Sequence, residues 1–412
     1  MEVLFRVCCG LDVHKDTVVA CLSRLTAAGE RVKQVRTFGT TRAGLRRLAA
    51  WLRAAGCTHL ALESTGVYWK PVYNLLEGQF TVLVVNAAHI KAVPGRKTDV
   101  KDCEWLADLL QHGLLRASFI PDRAQRELRD LTRTRTTLTD ERSAVVCRVQ
   151  AVLEDAGLKL AGVATDILGV SGRAILAALV AGTTDPAALA ALARGKLRKK
   201  QAALEEALAG ELREHHRTLL ALHLAHIDFL DGQIAQLSEQ IAARLQEHTA
   251  ALARLDTIPG VGQTTAEVLA AEIGLDMRRF PSAAALASWA GMCPGNYESA
   301  GKRKGGKTRK GSPWLRRALT EAARAAARRK DCYLAAQYRR LVQRCGKQKA
   351  AVAVGHTILV TAYYLLLRQD TYRDQVPADR DERRRERAQR RAVAQLQALG
   401  FEVALTAKHP AA

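Results

Sequence analysis

GLDVHKD, residues 10–16, lies between two apolar runs: Leu4–Cys9 before it and TVVACL, residues 17–22, after it. The pattern predicts a buried strand, a tight polar turn and a second buried strand. Asp12 stands out, because a carboxylate on a core strand is costly to bury unless a cation meets it. Taken alone, Asp12 is explained as well by an ion pair with Lys15 or by capping of the turn.

Two later stretches change that balance. LALESTG, residues 60–66, is a short apolar strand that ends in Glu63 and runs into small turn residues. KTDVKD, residues 97–102, opens a helical pattern that runs to about Leu115. Asp99 and Asp102 are three apart and share one helix face, where like charges repel unless a cation lies between them. Two strand-end carboxylates and a helical pair form an all-oxygen set suited to Mg²⁺ or Mn²⁺. Such a set can hold two ions across a scissile phosphate.

Composition narrows the partners. The chain has 412 residues, enough for two or three domains, and 48% of them are hydrophobic, as a globular protein requires. A net charge of +22 points to a polyanion, most simply nucleic acid. Nine cysteines occur without a CxxC pair, so neither a zinc site nor a disulfide framework is indicated, and reduced thiols in a cytosol fit best. No signal peptide is read at the start, and no apolar run is expected to span a bilayer.

Along the chain, residues 4–118 read as α/β. Strands are expected at Phe5–Leu11, Thr17–Ser23, Arg31–Phe38, His59–Glu63 and Phe80–Val85, and helices at Thr41–Ala55 and Val67–Leu76. The first three strands suit an antiparallel meander. This order of elements is that of a ribonuclease-H-like domain, in which the first strand, the fourth strand and a later helix converge on one acidic site. Lys91, Arg96, Lys97 and Lys101 flank the acidic pair and can hold a phosphate backbone beside the metals.

Residues 119–254 read as all-α. Their last helix, about Leu212 to Leu255, carries a seam of Leu220, Leu224, Ile227, Leu230, Ile234, Leu237, Ile241 and Leu245, expected to form an intermolecular or hairpin coiled coil. Residues 255–370 read as a second compact, mainly helical domain. It begins with PGVG, residues 259–262, where Gly260 and Gly262 can expose backbone N–H groups to a phosphate and Thr264 or Thr265 can cap the next helix. The stretch resembles a helix-hairpin-helix DNA-backbone module. A loop, residues 294–313, follows, with Lys302, Arg303, Lys304, Lys307, Arg309 and Lys310 among glycines, suited to wrapping a polyanion. Trp314–Lys330 reads as a basic helix, Ala350–Leu367 as an apolar core helix containing His356, and residues 371–412 as a charged tail.

These motifs together resemble the insertion-sequence 110 family of transposases. The resemblance is carried by GLDVHKD, LESTGVYW, GRKTDVKDCEWLADLLQHGLL, IPGVG, AGMCPGNYESAGK, KGSPWLRRAL and GHTILVTAYYLL, from Gly10 to about Tyr372. It implies a RuvC-like (RNase H fold) N-terminal domain, a long helical coiled-coil linker and a C-terminal transposase domain. By position, the family's acidic tetrad falls on Asp12, Glu63, Asp99 and Asp102. The family's nucleophilic serine falls on Ser299, with Ala300 where members usually carry glycine and Ser312 as the fallback. The resemblance also implies a homo-oligomer (dimer or tetramer) in which serine and tetrad meet between protomers, and a structured guide RNA that pairs with donor and target DNA. A RuvC-like junction nuclease using water as nucleophile is the alternative. An actin-like ATP-binding protein, or a scaffold without catalysis, is a more distant rival.

Overall fold

The computed structural model describes residues 3–64, 66–86, 102–295, 297–299, 301–305, 308–330, 332–374 and 389–404. Asp99, Lys91, Arg96, Lys97, Lys101 and Lys307 lie outside the described residues. The chain divides into two compact units, Met1–Pro121 and Asp122–Ala412.

The first unit is a five-stranded mixed sheet with helices on both faces. Its elements are β1 (Val7–Val13), β2 (Thr17–Leu25), β3 (Arg31–Gly39), α1 (Arg42–Ala54), β4 (His59–Glu63), α2 (Trp69–Leu76), β5 (Thr81–Val85) and α3 (Asp102–Gln111). The strand order is β3-β2-β1-β4-β5. The first three strands are antiparallel, whereas β1, β4 and β5 run parallel. The expected meander is therefore present, and the crossovers through α1 and α2 supply the parallel half.

Alternation of side chains separates the two sheet faces. Cys9, Leu11, Val13, Ala20, Leu22, Leu60 and Leu62 form one apolar face with Leu45, Leu48 and Leu52 of α1 and Val72 and Leu76 of α2. Thr41 caps α1 by accepting from the Gly44 N–H. The opposite face offers Cys8, Ala61 and Val85 to Leu106, Leu109 and Leu110 of α3. All nine cysteines are unpaired. Burial pushes the Cys8 and Cys57 thiols up to about 12, so they remain protonated and act as small apolar residues.

The second unit is helical apart from one short ribbon. It opens with α4 (Arg123–Asp155), followed by the short helices α5 (Leu160–Val163), α6 (Val170–Val180), α7 (Pro186–Ala191) and α8 (Gln201–Ala207), and then α9 (Glu214–Arg244). Helix α9 returns antiparallel along α4. His216 meets Asp155 near one end, Arg142 meets Asp231, Arg135 reaches Ser238, and Arg244 meets Glu127 at the other end. Leu220, Leu224, Ile227, Leu230 and Ile241 are buried in this chain's own packing. The expected seam thus faces an intramolecular partner, and the expected 44-residue-scale single helix is interrupted. It ends at Arg244, and a 3₁₀ turn, Gln246–His248, leads to α10 (Thr249–Asp256).

Further on come α11 (Gln263–Ile273), α12 (Ala283–Trp289), the strands β6 (Tyr297–Ser299) and β7 (Lys302–Gly305), α13 (Pro313–Ala327) and α14 (Tyr333–Arg368). Leu269, Leu286, Leu315, Leu319, Ile358, Leu359 and Ala362 share one core. Contrary to expectation, α14 is long and apolar enough to cross a membrane by length and composition; its apolar half instead carries core residues such as Val354 and Ile358. Gly346, at φ +80°, breaks α14 internally. In the tail, residues 389–398 are helical and mostly exposed.

Candidate active site

Register places the strand-borne acids together. Leu11 pairs with Leu62 between parallel β1 and β4, so Asp12 and Glu63 occupy the next step of the same ladder. Alternation turns both away from the α1/α2 face and toward the face that α3 covers. Asp12 lies one residue inside the end of β1, and its side chain is 30% exposed. Its Oδ2 is 3.1 Å from His14 Nε2, so the neighbour it meets is His14 and not Lys15, the alternative considered for an ion pair.

Asp102 reaches this region because α3 is held close to the sheet. A Cβ on Gly10 would fall 2.1 Å from the Cys103 carbonyl oxygen and 2.6 Å from the Ala107 nitrogen. Glycine at position 10 therefore lets the first turn of α3, which carries Asp102, lie directly on β1 beside Asp12. Two polar contacts fix the rest of the helix. Ser23 Oγ and Gln111 Oε1 are 3.0 Å apart in a buried bond between β2 and the end of α3. From β3, Arg31 and Lys33 reach Asp108 at 3.0 and 2.8 Å. The Cys103 and Cys21 thiols are hydrogen-bonded, and that bond together with burial pushes the Cys21 thiol up. Register thus puts Asp12 and Glu63 on the sheet face that α3 covers, and the Gly10 contact brings the first turn of α3, which carries Asp102, against that face. Asp99, the fourth expected member, is outside the described residues.

Gly10, Ser23, Asp108 and Gln111 are the positioning residues that sequence reasoning missed. Their pairings join residues 75 to 88 positions apart. Only the exposed-looking polarity of Asp108 and Gln111 on an otherwise apolar helix hinted at them.

In the second unit, the expected serine loop contains an antiparallel ribbon. Ser299 ends β6 and pairs in register with Lys302 of β7, with Gly301 in the left-handed region at φ +73° between them. Lys302, Arg309 and Lys310 are exposed. The strand placement of Arg303 and Lys304 is set by the Glu298–Arg303 register. Ser312, the fallback nucleophile, is occupied structurally: its hydroxyl accepts from the Leu315 N–H at 3.2 Å and donates to Glu272 at 3.0 Å.

The PGVG turn differs from expectation in detail. A Cβ on Gly260 would lie 2.2 Å from the Ala322 carbonyl oxygen, so this glycine is needed for packing against α13. Gly262, not Thr264 or Thr265, is the N-cap of α11, and it adds no side-chain cap. The N–H groups of that first turn have no helical partners, as at any helix start. Thr264 and Thr265 line a cleft of about 100 Å³ with Arg135, Thr136, Trp314 and Arg317.

Helix α11 carries two buried acids with a different purpose. Glu267 and Glu272 are 2% and 1% exposed. Arg135 holds Glu267 at 2.6 Å, and Arg133 grips Glu272 with two bonds of 2.7 and 2.9 Å. Gln125 and Arg129 cover the last carbonyls of α11, each reaching Ala271 O at 3.0 Å. Burial lowers the Arg129 guanidinium to about 10. Among the described residues, the group of three or more His, Cys, Asp or Glu side chains whose ligand atoms lie within 4.8 Å of one another is Asp155, His215 and His216, not the strand acids. His216 is already used on both nitrogens: Nδ1 accepts from the Arg213 N–H, and Nε2 lies 2.8 Å from Asp155. That arrangement closes the start of α9 onto the end of α4.

Comparison with known proteins adds the following. A family model for DEDD transposases of the IS110 type matches residues 9–157, and one for transposases of the IS116/IS110/IS902 family matches residues 252–339. A Pseudomonas aeruginosa protein described as a probable family 20 transposase is 27% identical over 371 residues, covering 88% of this chain and 94% of that protein. The transposase for insertion sequence element IS1111A of Coxiella burnetii is 25% identical over 378 residues, covering 88% and 90%. The transposase for insertion sequence element IS1328 of Yersinia enterocolitica is 34% identical over 109 residues, 26% of this chain and 32% of that one.

Proposed function

This chain belongs to the IS110 family of transposases, and we propose that it cuts and rejoins DNA for an insertion sequence through a serine nucleophile assisted by divalent metal. The observation that supports the reading is the adjacent strand register of Asp12 and Glu63 on one face of a mixed sheet, with Gly10 admitting the first turn of α3, which carries Asp102. The strand order and the acid positions support an RNase-H-like, RuvC-type catalytic unit.

Asp12, Glu63, Asp99 and Asp102 would hold Mg²⁺ or Mn²⁺. When bound, such ions neutralise charge at a phosphodiester and help a hydroxyl ionise. The chain's own contribution is the nucleophile and the grip on the substrate. The Ser299 oxygen attacks phosphorus, its proton passes to solvent, and a strand oxygen leaves as a new hydroxyl. The product is a phosphoserine joined to DNA, which keeps the bond energy of the broken linkage. A hydroxyl from another strand then displaces the serine and restores it, so cutting and rejoining balance without an external energy source. Lys302, Arg303, Lys304, Lys307, Arg309 and Lys310, with Arg96, Lys97, Lys101 and the α11 start at Gly260–Gly262, are proposed to hold phosphates.

Residues 119–254 are proposed as a helical linker and oligomerisation region, and residues 255–370 as the serine-bearing transposase domain. A structured guide RNA is proposed to supply sequence recognition, with protein reading backbone and base pairing reading sequence. The net charge of +22 and the family membership support that division.

The test is trapping. Wild-type protein incubated with element-end DNA and Mg²⁺ is expected to form a covalent adduct that mass spectrometry maps to Ser299. Ser299→Ala is expected to lose both adduct and cleavage. Full cleavage by Ser299→Ala would favour water as nucleophile and end the serine reading.

A further inference from the structure

In the second unit, some arginines are ion-paired within the fold and others are not. Along α4 and α9, Arg129, Arg133, Arg135, Arg142 and Arg244 each meet a carboxylate. From Arg324 to Lys349 the sequence holds nine cationic side chains and one acidic residue, Asp331. Arg339, Arg340, Arg344, Lys347 and Lys349 are exposed. Among the described residues none of these five has a carboxylate within ion-pair distance; Arg339 reaches only its own helix, at the Ala335 carbonyl. Like charges spaced this closely repel, and no carboxylate among the described residues pairs with these five.

The backbone gathers these residues. Gly346, at φ +80°, interrupts α14 immediately before Lys347, and a Cβ there would meet nothing within 4 Å. The glycine is therefore needed for the bend and not for packing. Arg324 of α13 donates to Gln348 at 3.1 Å, which joins the basic end of α13 to the bend. Leu334 and Ala335 anchor the inner side of the segment in the core, and Ala350 and Ala351 are buried just past it. The cations are left on the outer side of a basic elbow.

We infer that this elbow is a docking surface for the phosphate backbone of duplex DNA, separate from the Lys302–Lys310 segment. The inference rests on the reading of the chain as a DNA-acting transposase. Charge complementarity selects a polyanion. No large exposed hydrophobic residue lies between Arg324 and Lys349 among the described residues, so the face lacks the apolar anchor that a protein partner uses. Its aromatic side chains among the described residues, Tyr333 and Tyr338, are half-buried and packed against the core instead of offering a platform for unpaired bases, which argues for a duplex over a single strand. Contacts of this kind position DNA without reading its sequence.

The test is a salt titration with the full-length protein. A variant with Arg339→Gln, Arg340→Gln, Arg344→Gln and Lys347→Gln is compared with wild type for binding short duplex DNA of arbitrary sequence, followed by fluorescence anisotropy over a range of salt. Loss of four phosphate contacts is expected to reduce the slope of log K against log salt by about 3 to 4 and to weaken binding at least about tenfold at low salt. The thermal midpoint is expected to stay unchanged, and Arg173→Gln, which removes an arginine paired with Asp228, is expected to leave the slope alone. A wild-type slope in the quadruple variant would overturn the inference. A loss confined to duplex RNA or to single strands would overturn the assignment to duplex DNA. Failure of wild-type protein to bind any DNA would instead bring down the functional reading on which the inference rests.

Discussion

Asp12 and Glu272 are both carboxylates on regular elements, yet they sit in opposite circumstances. Glu272 is 1% exposed and already neutralised by the two-bond grip of Arg133. Asp12 is 30% exposed on its side chain, lies at a strand end, and meets His14 at 3.1 Å. The first acid is satisfied by the fold and serves to join α4 to α11. The second is proposed to take its counter-charge from a bound cation. The arginines repeat the contrast: Arg133, Arg135 and Arg142 of α4 meet carboxylates, whereas among the described residues Arg339, Arg340 and Arg344 near Gly346 do not. A charged residue with its counter-ion built in is architecture, and one without it marks where a ligand is needed.

The comparison breaks most sharply on function. Asp12→Asn is expected to reduce strand cleavage by at least about a thousandfold, as removal of a key electrostatic group does, while leaving the thermal midpoint and DNA binding intact. Chelation of divalent ions is expected to do the same to wild type. Cleavage that survives either treatment would place Asp12 with the structural acids.

Glu272→Gln should behave in the opposite way. Removing one partner of a buried pair leaves Arg133 uncompensated and is expected to cost about 3 to 5 kcal/mol in stability. Calorimetry of the full chain should show the second unit melting earlier, and the first unit's transition should not move. A stable Glu272→Gln protein that had lost cleavage would mean that the buried acid has a chemical role after all.

Gly10→Ala tests how the acids are held. Backbone atoms 2.1 and 2.6 Å from the new methyl oblige α3 to shift, at an expected cost of about 1 to 3 kcal/mol. Metal affinity, read by calorimetric titration with Mn²⁺, should fall with it. Unaltered Mn²⁺ binding would show that Asp102 tolerates movement of its helix. At the exposed end of the scale, Asp231→Asn removes a partly exposed partner of Arg142 and should cost no more than about 1 kcal/mol.

The smallest effect is one of pH. Burial holds the His356 imidazole below its ordinary value of 6.5. The unfolded chain therefore takes up a proton that the folded chain resists, and stability is lost as pH falls through and below that value. His356→Gln should make the stability profile flatter on the acid side than in wild type. An identical acid slope would mean that the folded protein protonates His356 without penalty.

How much of this was legible beforehand depended on the range of the interaction. The five strands, α1 and α2 were readable to within a few residues, because alternation and helical spacing are local properties. Asp12 and Glu63 were readable because an acid closing an apolar strand is a local anomaly. The contact of Asp12 with His14 was not foreseen, since which turn residue folds back onto a carboxylate depends on backbone geometry. The break at Arg244 and the bend at Gly346 were missed, because both lie within segments whose composition stays helical. The serine segment read as a loop because a ribbon of three- and four-residue strands has too few positions for alternation to show.

Local residue order by itself determined the α/β first unit, the helical remainder, the basic character and which acids to suspect. Tertiary structure alone decided which charges are spent. Whether Glu272 meets Arg133, whether α3 lies against Gly10, and whether Arg344 has a carboxylate nearby all depend on residues far apart in the chain. A charge is free or neutralised according to what lies within a few ångströms of it, and no local pattern carries that information.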